Sequence, residues 1–262
     1  MKSQEIKLVD GGKKSSTFKD RLVSKIMKSY LGFVDRMITK TVKNKVGETN
    51  IANYKELYAL EKNWTSIRKE LDQLLNQLDT VVYYEDVDKR YSRETGDEKT
   101  KKKDSWKIEQ FYLYGHRIER GFKRSPLTGK LLEKIPGIQT ALFSILQPKA
   151  HIKPHHGEYA GLLRCHLGLK VDSPEACKIR VNDEFFHWKE GKIFIFDHTN
   201  EHEAWNNSES IRVILIFDFV RKLPFPLSLL NKIGLKMLGK SSHIKNAKKI
   251  FENGPNQVLE PV

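Results

Sequence analysis

Cysteine is scarce in this chain, and so is any long apolar run. Among 262 residues there are only Cys165 and Cys177, one inside a sequence-predicted strand and the other at the start of another. Their spacing suggests neither a zinc site nor a disulfide framework, so a reducing, cytosolic setting is expected. No apolar stretch reaches the roughly 20 residues that a membrane-crossing helix requires, and the polar stretch up to Asp20 does not read as a signal peptide. With 39% hydrophobic and 31% charged residues, the chain reads as one globular domain with extensions.

Acidic residues are few at one end and missing from the stretch 221–250 near the other. Residues 1–45 hold twelve Lys or Arg against four Asp or Glu, and residues 221–250 hold eight against none. Each end therefore carries a net +8, and since the whole chain carries +14, the middle is close to neutral. Both ends also show helical amphipathicity. Leu22, Ile26, Tyr30, Phe33 and Met37 recur at helix spacing with Lys25, Lys28, Arg36 and Lys40 on the flanks, and Leu230, Ile233 and Met237 do so beside Lys232, Lys236 and Lys240. A basic amphipathic helix can lie on an anionic membrane or pack on a protein core. Charge accumulating at both ends and not between them favours a membrane partner. Nucleic acid is disfavoured, because no reader motif accompanies the lysines.

The interior divides by pattern. Leu57, Leu60, Trp64, Ile67, Leu71, Leu74 and Leu78 fall at helix spacing and predict a helix over 54–78 that packs on the outside of the core. The run from Lys89 to Lys103 is mixed in sign and reads as a solvated loop. From about Thr140 short strands are predicted at 140–146, 162–171, 177–182, 184–188, 192–196 and 212–219, punctuated by Gly, Asn and Pro as in an antiparallel double sheet. The organisation expected is a basic segment 1–50, a helical segment and loop 51–105, a β domain 106–222 and a basic tail 223–262.

Candidate chemistry sits in that β domain. Pro154-His155-His156-Gly157 is followed by Glu201-His202-Glu203 and then by Arg212, all in strand-like sequence. Neutral imidazoles bind Fe(II) while leaving open positions for other ligands, and a guanidinium fork suits a carboxylate. The turn cluster Asn206-Asn207-Ser208 predicts a hairpin in which His202 and Arg212 face each other across a ladder. Arg164 and His166 alternate with apolar neighbours and so share a face; inside a barrel they would need an anion to justify their burial. His151, His156 and His198 read as ordinary histidines, Trp188 as core, and Trp205 as either core or pocket wall. Asp197, five residues before His202, is a candidate carboxylate ligand that reads better as a residue behind the metal site.

The ordered set Ile135-Pro136-Gly137, Ser144, His151-x-x-Pro154-His155-x-Gly157, Leu163-Arg164-x-His166-Leu167-Gly168-Leu169, Trp188-x-x-Gly191, Phe196-Asp197, His202-Glu203-x-Trp205 and Arg212 resembles the aspartyl/asparaginyl β-hydroxylase family of Fe(II)- and 2-oxoglutarate-dependent oxygenases. That resemblance implies a mainly β fold with flanking helices, built on a double-stranded β-helix (jelly roll, cupin-like). It implies iron held by His155 and His202, and 2-oxoglutarate contacted by Ser144, Arg164, His166 and Arg212. O2 would be the oxidant, with release of succinate and CO2. The carboxylate ligand usual in such oxygenases is replaced by Gly157, a departure that is itself a family feature. The segments around Tyr159, Gly161 and Phe219-Val220-Arg221 look like the bacterial lipid-hydroxylating branch, which implies a lipid acyl chain as substrate and a cytoplasmic protein, peripheral at the inner face of the bacterial cytoplasmic membrane. A peptide Asp or Asn or a free amino acid is the alternative substrate, and a non-catalytic jelly-roll binding module the alternative class.

Overall fold

The computed structural model describes residues 18–42, 51–87 and 106–255. The predicted loop over 89–103 and the first seventeen residues lie outside them.

Eleven strands form two antiparallel sheets among the described residues. The larger runs in the order β1 (Val82–Tyr83), β2 (Trp106–Leu113), β4 (Ile138–Leu146), β11 (Arg212–Val220), β6 (Leu162–Lys170) and β9 (Ile193–Phe196), with β3 (His116–Arg117) paired to β2. The smaller runs β5 (Ala150–His155), β10 (His202–Asn206), β7 (Cys177–Val181) and β8 (Glu184–His187). The two sheets close face to face as a double-stranded β-helix, with residues such as Ile108, Leu146, Ile179, Val181, Phe196 and Ile214 packed between them.

The apolar run Val213 to Phe217 within β11 follows from burial on both faces. Ile214 and Ile216 point toward the smaller sheet, whereas Val213, Leu215, Phe217 and Phe219 join a second core against helices. That outer core receives Tyr54, Leu57, Leu60, Ile67, Leu71 and Leu74. The helix predicted over 54–78 is broken into α2 (Tyr58–Lys62) and α3 (Trp64–Leu75) at Asn63, whose Nδ2 donates back to the Ala59 carbonyl at 2.8 Å. A four-residue helix α4 (Tyr84–Val87) follows β1, and α5 (Glu119–Arg124) and α6 (Pro126–Leu132) join the outer layer. There Arg120 and Arg124 close on the buried Glu109 carboxylate at 2.9 and 2.7 Å.

The predicted hairpin is overturned. β10 and β11 belong to different sheets, so His202 opposes His155 and Val181 while Arg212 opposes Leu146. The turn cluster is real but serves a corner between sheets. Asn206 Nδ2 donates to the carbonyls of Leu146, Gln147 and Ser210, which ties the end of β4 to the turn before β11.

The basic ends form α1 (Phe18–Thr41), α7 (Leu227–Gly239) and, unforeseen in sequence, α8 (Ser242–Asn253), whose N-cap Ser241 accepts from the Ile244 N–H. Met27, Leu31, Val34 and Ile38 of α1 pack with Leu227, Leu235 and Leu238 of α7 over Tyr159, Ala160 and Leu162. The stripe singled out in sequence is not that face: Leu22, Ile26, Phe33 and Met37 point to solvent.

Candidate active site

The pocket lies between the sheets and is walled by inward-facing residues of both. His155, His202, Ile152, Ile179 and Ala204 come from the smaller sheet, and Ser144, Arg164, His166, Arg212, Ile214 and Ile216 from the larger, with Trp106 and Trp188 beside them. All six residues singled out as site residues in the sequence therefore line one pocket.

His155 and His202 are directly opposed across the β5–β10 ladder, with ring centroids 4.2 Å apart. The ladder slips by one residue between His202 and Ala204, the kind of local bulge that re-aims a side chain. Each Nδ1 meets a backbone carbonyl, that of Lys153 at 2.8 Å for His155 and that of Asn200 at 2.9 Å for His202. A carbonyl can only accept, so both protons sit on Nδ1 and both Nε2 atoms are lone-pair donors. The buried Nε2 of His202 has no hydrogen-bond partner among the described residues. Burial pushes His155 down to about 4, Arg164 and His156 adding to it, and pushes His202 well below the usual imidazole range, helped by His155 and Arg164. Both rings are then neutral near pH 7, the form that binds a metal.

His166 is set the opposite way. Its Nδ1 accepts from Trp188 Nε1 at 3.2 Å, which leaves the proton on Nε2, and that buried N–H has no partner among the described residues. It is a neutral donor, its pKa driven well down by burial and by Arg164 and Arg212. Trp188, read in sequence as plain core, is thus a pocket wall that fixes a tautomer.

Arg212 decides the polarity of the pocket. Its side chain is 1% exposed, and none of its three guanidinium nitrogens has a hydrogen-bond partner among the described residues. The group lies 4.5 Å over the Trp188 ring, and burial holds its pKa down at about 10. An unpaired buried charge is costly enough to mark a place where an anion belongs. Ser144 lines the same pocket, its Oγ accepting from Trp106 Nε1 at 2.9 Å. Arg164 is differently employed: Asp218, opposite it on β11, takes its Nε and Nη2 at 2.8 and 2.9 Å. Asp218 escaped the sequence reading, although it is in phase with Arg212 along an apolar strand.

Gly157 leaves no room for a carboxylate ligand. A Cβ built there would lie 1.7 Å from Cδ2 of His198, a buried ring whose backbone carbonyl accepts from Gly157 N–H. Asp197 is committed behind the ligands, to Arg221 and to Thr199. His151 pairs with Glu203 at 2.8 Å and stacks on Trp205 at 4.8 Å, and neither lines the pocket. Among the described residues no group of three His, Cys, Asp or Glu side chains forms a metal cluster; the donor set is two imidazoles.

A family model described as Aspartyl/Asparaginyl beta-hydroxylase matches residues 61–222. The chain belongs to the aspartyl/asparaginyl β-hydroxylase family. Among its relatives, the ornithine lipid ester-linked acyl 2-hydroxylase of Rhizobium tropici is 39% identical over 174 residues, 66% of this chain and 59% of that protein. The human aspartyl/asparaginyl beta-hydroxylase is 37% identical over 171 residues, 63% of this chain and 21% of that protein. The chain thus spans three-fifths or less of the length of these two family members. The solved structure of KdgF from Halomonas sp. superposes with a TM-score of 0.30 at 12% identity, over 45% of this chain and 81% of that one, too distant to carry an argument. The family's matched span covers both histidines, Arg164, His166 and Arg212.

Proposed function

We propose that this chain is an Fe(II)- and 2-oxoglutarate-dependent oxygenase that hydroxylates an unactivated C–H bond, with a lipid acyl chain as its substrate. The observation that carries the reading is the buried guanidinium of Arg212, without a hydrogen-bond partner among the described residues, in the same pocket as two neutral imidazoles. Together they suit a metal chelated by an organic anion.

His155 and His202 would hold the metal through Nε2, their ring orientations fixed by the carbonyls on Nδ1. Arg212 would take the far carboxylate of 2-oxoglutarate, the His166 Nε2–H would donate to an oxygen of the same molecule, and Ser144 would contribute its hydroxyl. Ile152, Ile179, Ile214 and Ile216 keep water from the reacting centre. When bound, iron with 2-oxoglutarate and O2 supplies the oxidising power, so that succinate and CO2 leave as C–H becomes C–OH. Arg164, already paired with Asp218, contributes positive potential to the wall.

A lipid substrate is supported by the Rhizobium tropici relative, whose name places its action on a lipid acyl chain, and by the cationic ends of the chain, which suit work at an anionic membrane surface. Among the described residues no helix is long and apolar enough to cross a membrane. The human relative keeps a peptide substrate as the second reading. Succinate release by Fe(II)-loaded protein, with and without bacterial lipids and beside His202→Ala, is the test. Lipid-stimulated succinate with a lipid heavier by one oxygen, both lost in the variant, is the expected result. Turnover indifferent to lipid would move the substrate to peptides, and no turnover at all would leave a binding module.

A further inference from the structure

α1 carries two apolar faces, and the core uses only one. Met27, Leu31, Val34 and Ile38 are buried, while Ile26 is 57% and Phe33 51% exposed, with Leu22, Val23 and Met37 beside them. On α7 the inward residues are Leu227, Asn231, Leu235 and Leu238; on the opposite face Leu229 and Ile233 are exposed, and Phe225 just before the helix is 81% exposed. The two helices lie side by side, joined where Tyr30 Oη donates to the Leu230 carbonyl at 2.9 Å. Since both pack down on Tyr159, Ala160 and Leu162, their outward faces point away from the barrel together.

The charges on these faces are of one sign. Lys25, Arg36 and Lys40 border the exposed stripe of α1 by helical periodicity, and Lys232, Lys236 and Lys240 share the exposed face of α7. Within residues 22–41 and 221–250 the single acid is Asp35, and it turns inward to accept from Ala160 N–H at 2.7 Å. Exposed apolar side chains ringed by lysines fit a lipid interface, where the apolar groups enter the acyl boundary and the lysine heads stay with the phosphates. The surface also sits next to the site. The segment beneath it, Gly157 to Gly161, runs directly from His155 toward Arg164, and is tied to the helices by Asn231 Nδ2 to the Gly161 carbonyl at 2.9 Å.

We propose that the outward faces of α1 and α7 are a docking surface for an anionic lipid bilayer, seating the protein so that the segment after His155 lies toward the membrane. The inference deepens the lipid-substrate reading and rests on it for its purpose.

The test is flotation with vesicles of phosphatidylcholine alone and of phosphatidylcholine with phosphatidylglycerol, for the full chain and for Ile26→Glu/Phe33→Glu/Ile233→Glu. These side chains are exposed, so the fold should survive, checked by circular dichroism. Binding to the anionic vesicles, weak on neutral ones and reduced tenfold or more in the variant and by high salt, is the expected result. Equal binding of the variant, or none by the full chain, overturns the proposal, as does a dimer in solution that the variant dissolves, since the face would then be covered by a second copy. Turnover on detergent-dispersed lipid separates the two readings. A variant that fails on vesicles but matches the wild type in detergent supports docking; vesicle binding without lipid turnover would sink the substrate reading alone.

Discussion

Replacing Arg212 by Met should stabilise the protein free of ligand and abolish the 2-oxoglutarate binding proposed for this pocket. A guanidinium held at about 10 by burial carries on the order of 3 kcal/mol of uncompensated desolvation. Its contact with the Trp188 ring, 4.5 Å away, returns about 1–2 kcal/mol. Met fills a similar volume without charge, so the net gain is about 1–2 kcal/mol, and for a chain of this size each kcal/mol moves Tm by about 2–4 °C. The ligand side runs the other way. Two charge-assisted bonds to a carboxylate contribute about 1.5–3 kcal/mol each, so their loss weakens binding by ~100-fold or more. A wild-type protein at a hundred times its Kd gains about 2.7 kcal/mol from the ligand; Arg212→Met at the same concentration gains next to nothing. Thermal melting with and without 2-oxoglutarate, backed by calorimetric titration, reads both effects. A variant that melts lower than wild type when free, or that keeps the ligand-induced rise, would refute the reasoning.

Gly157→Asp should cost about 2–3 kcal/mol of stability by overpacking against His198 instead of supplying a third metal ligand; a urea melt should show the loss shrinking when His198→Ala is added, and an unchanged midpoint in the single variant would contradict the clash. The buried imidazoles give a pH dependence of definite sign. His155 and His198 sit at about 4, and His202 and His166 well below the usual value of 6.5, so between those values the unfolded chain binds more protons than the folded one. Stability of the metal-free protein should therefore be fully present above about pH 6.5 and fall as the pH drops toward 4, each histidine adding up to about 1.4 kcal/mol per pH unit. A melting temperature flat between pH 7 and 4.5 would contradict this.

Which residues share the pocket was legible in sequence because they sit in short local patterns. His155 and His202 stand within strand-like runs, and the alternation of Arg164 and His166 with apolar neighbours places both on one face of a strand whatever its partners. Arg212 opens a run too apolar for a surface strand. What each polar residue meets across the barrel was not legible. Arg164 finds Asp218, 54 residues away, and His166 finds Trp188 on a separate loop. These are register facts, set by which strands neighbour each other.

The hairpin expected around Asn207 makes the same point. A turn cluster announces that the chain reverses but not which sheet receives the next strand. β11 goes to the larger sheet because both its faces are apolar and only there can both be covered, by the smaller sheet on one side and by α2, α3 and their neighbours on the other. In α1 the sequence determined a helix, its positive charge and a surplus of apolar residues. Which of its two apolar faces would be buried depended on Tyr159, Leu235 and Leu238, residues more than a hundred positions away, and so only the tertiary structure could leave Ile26 and Phe33 facing outward.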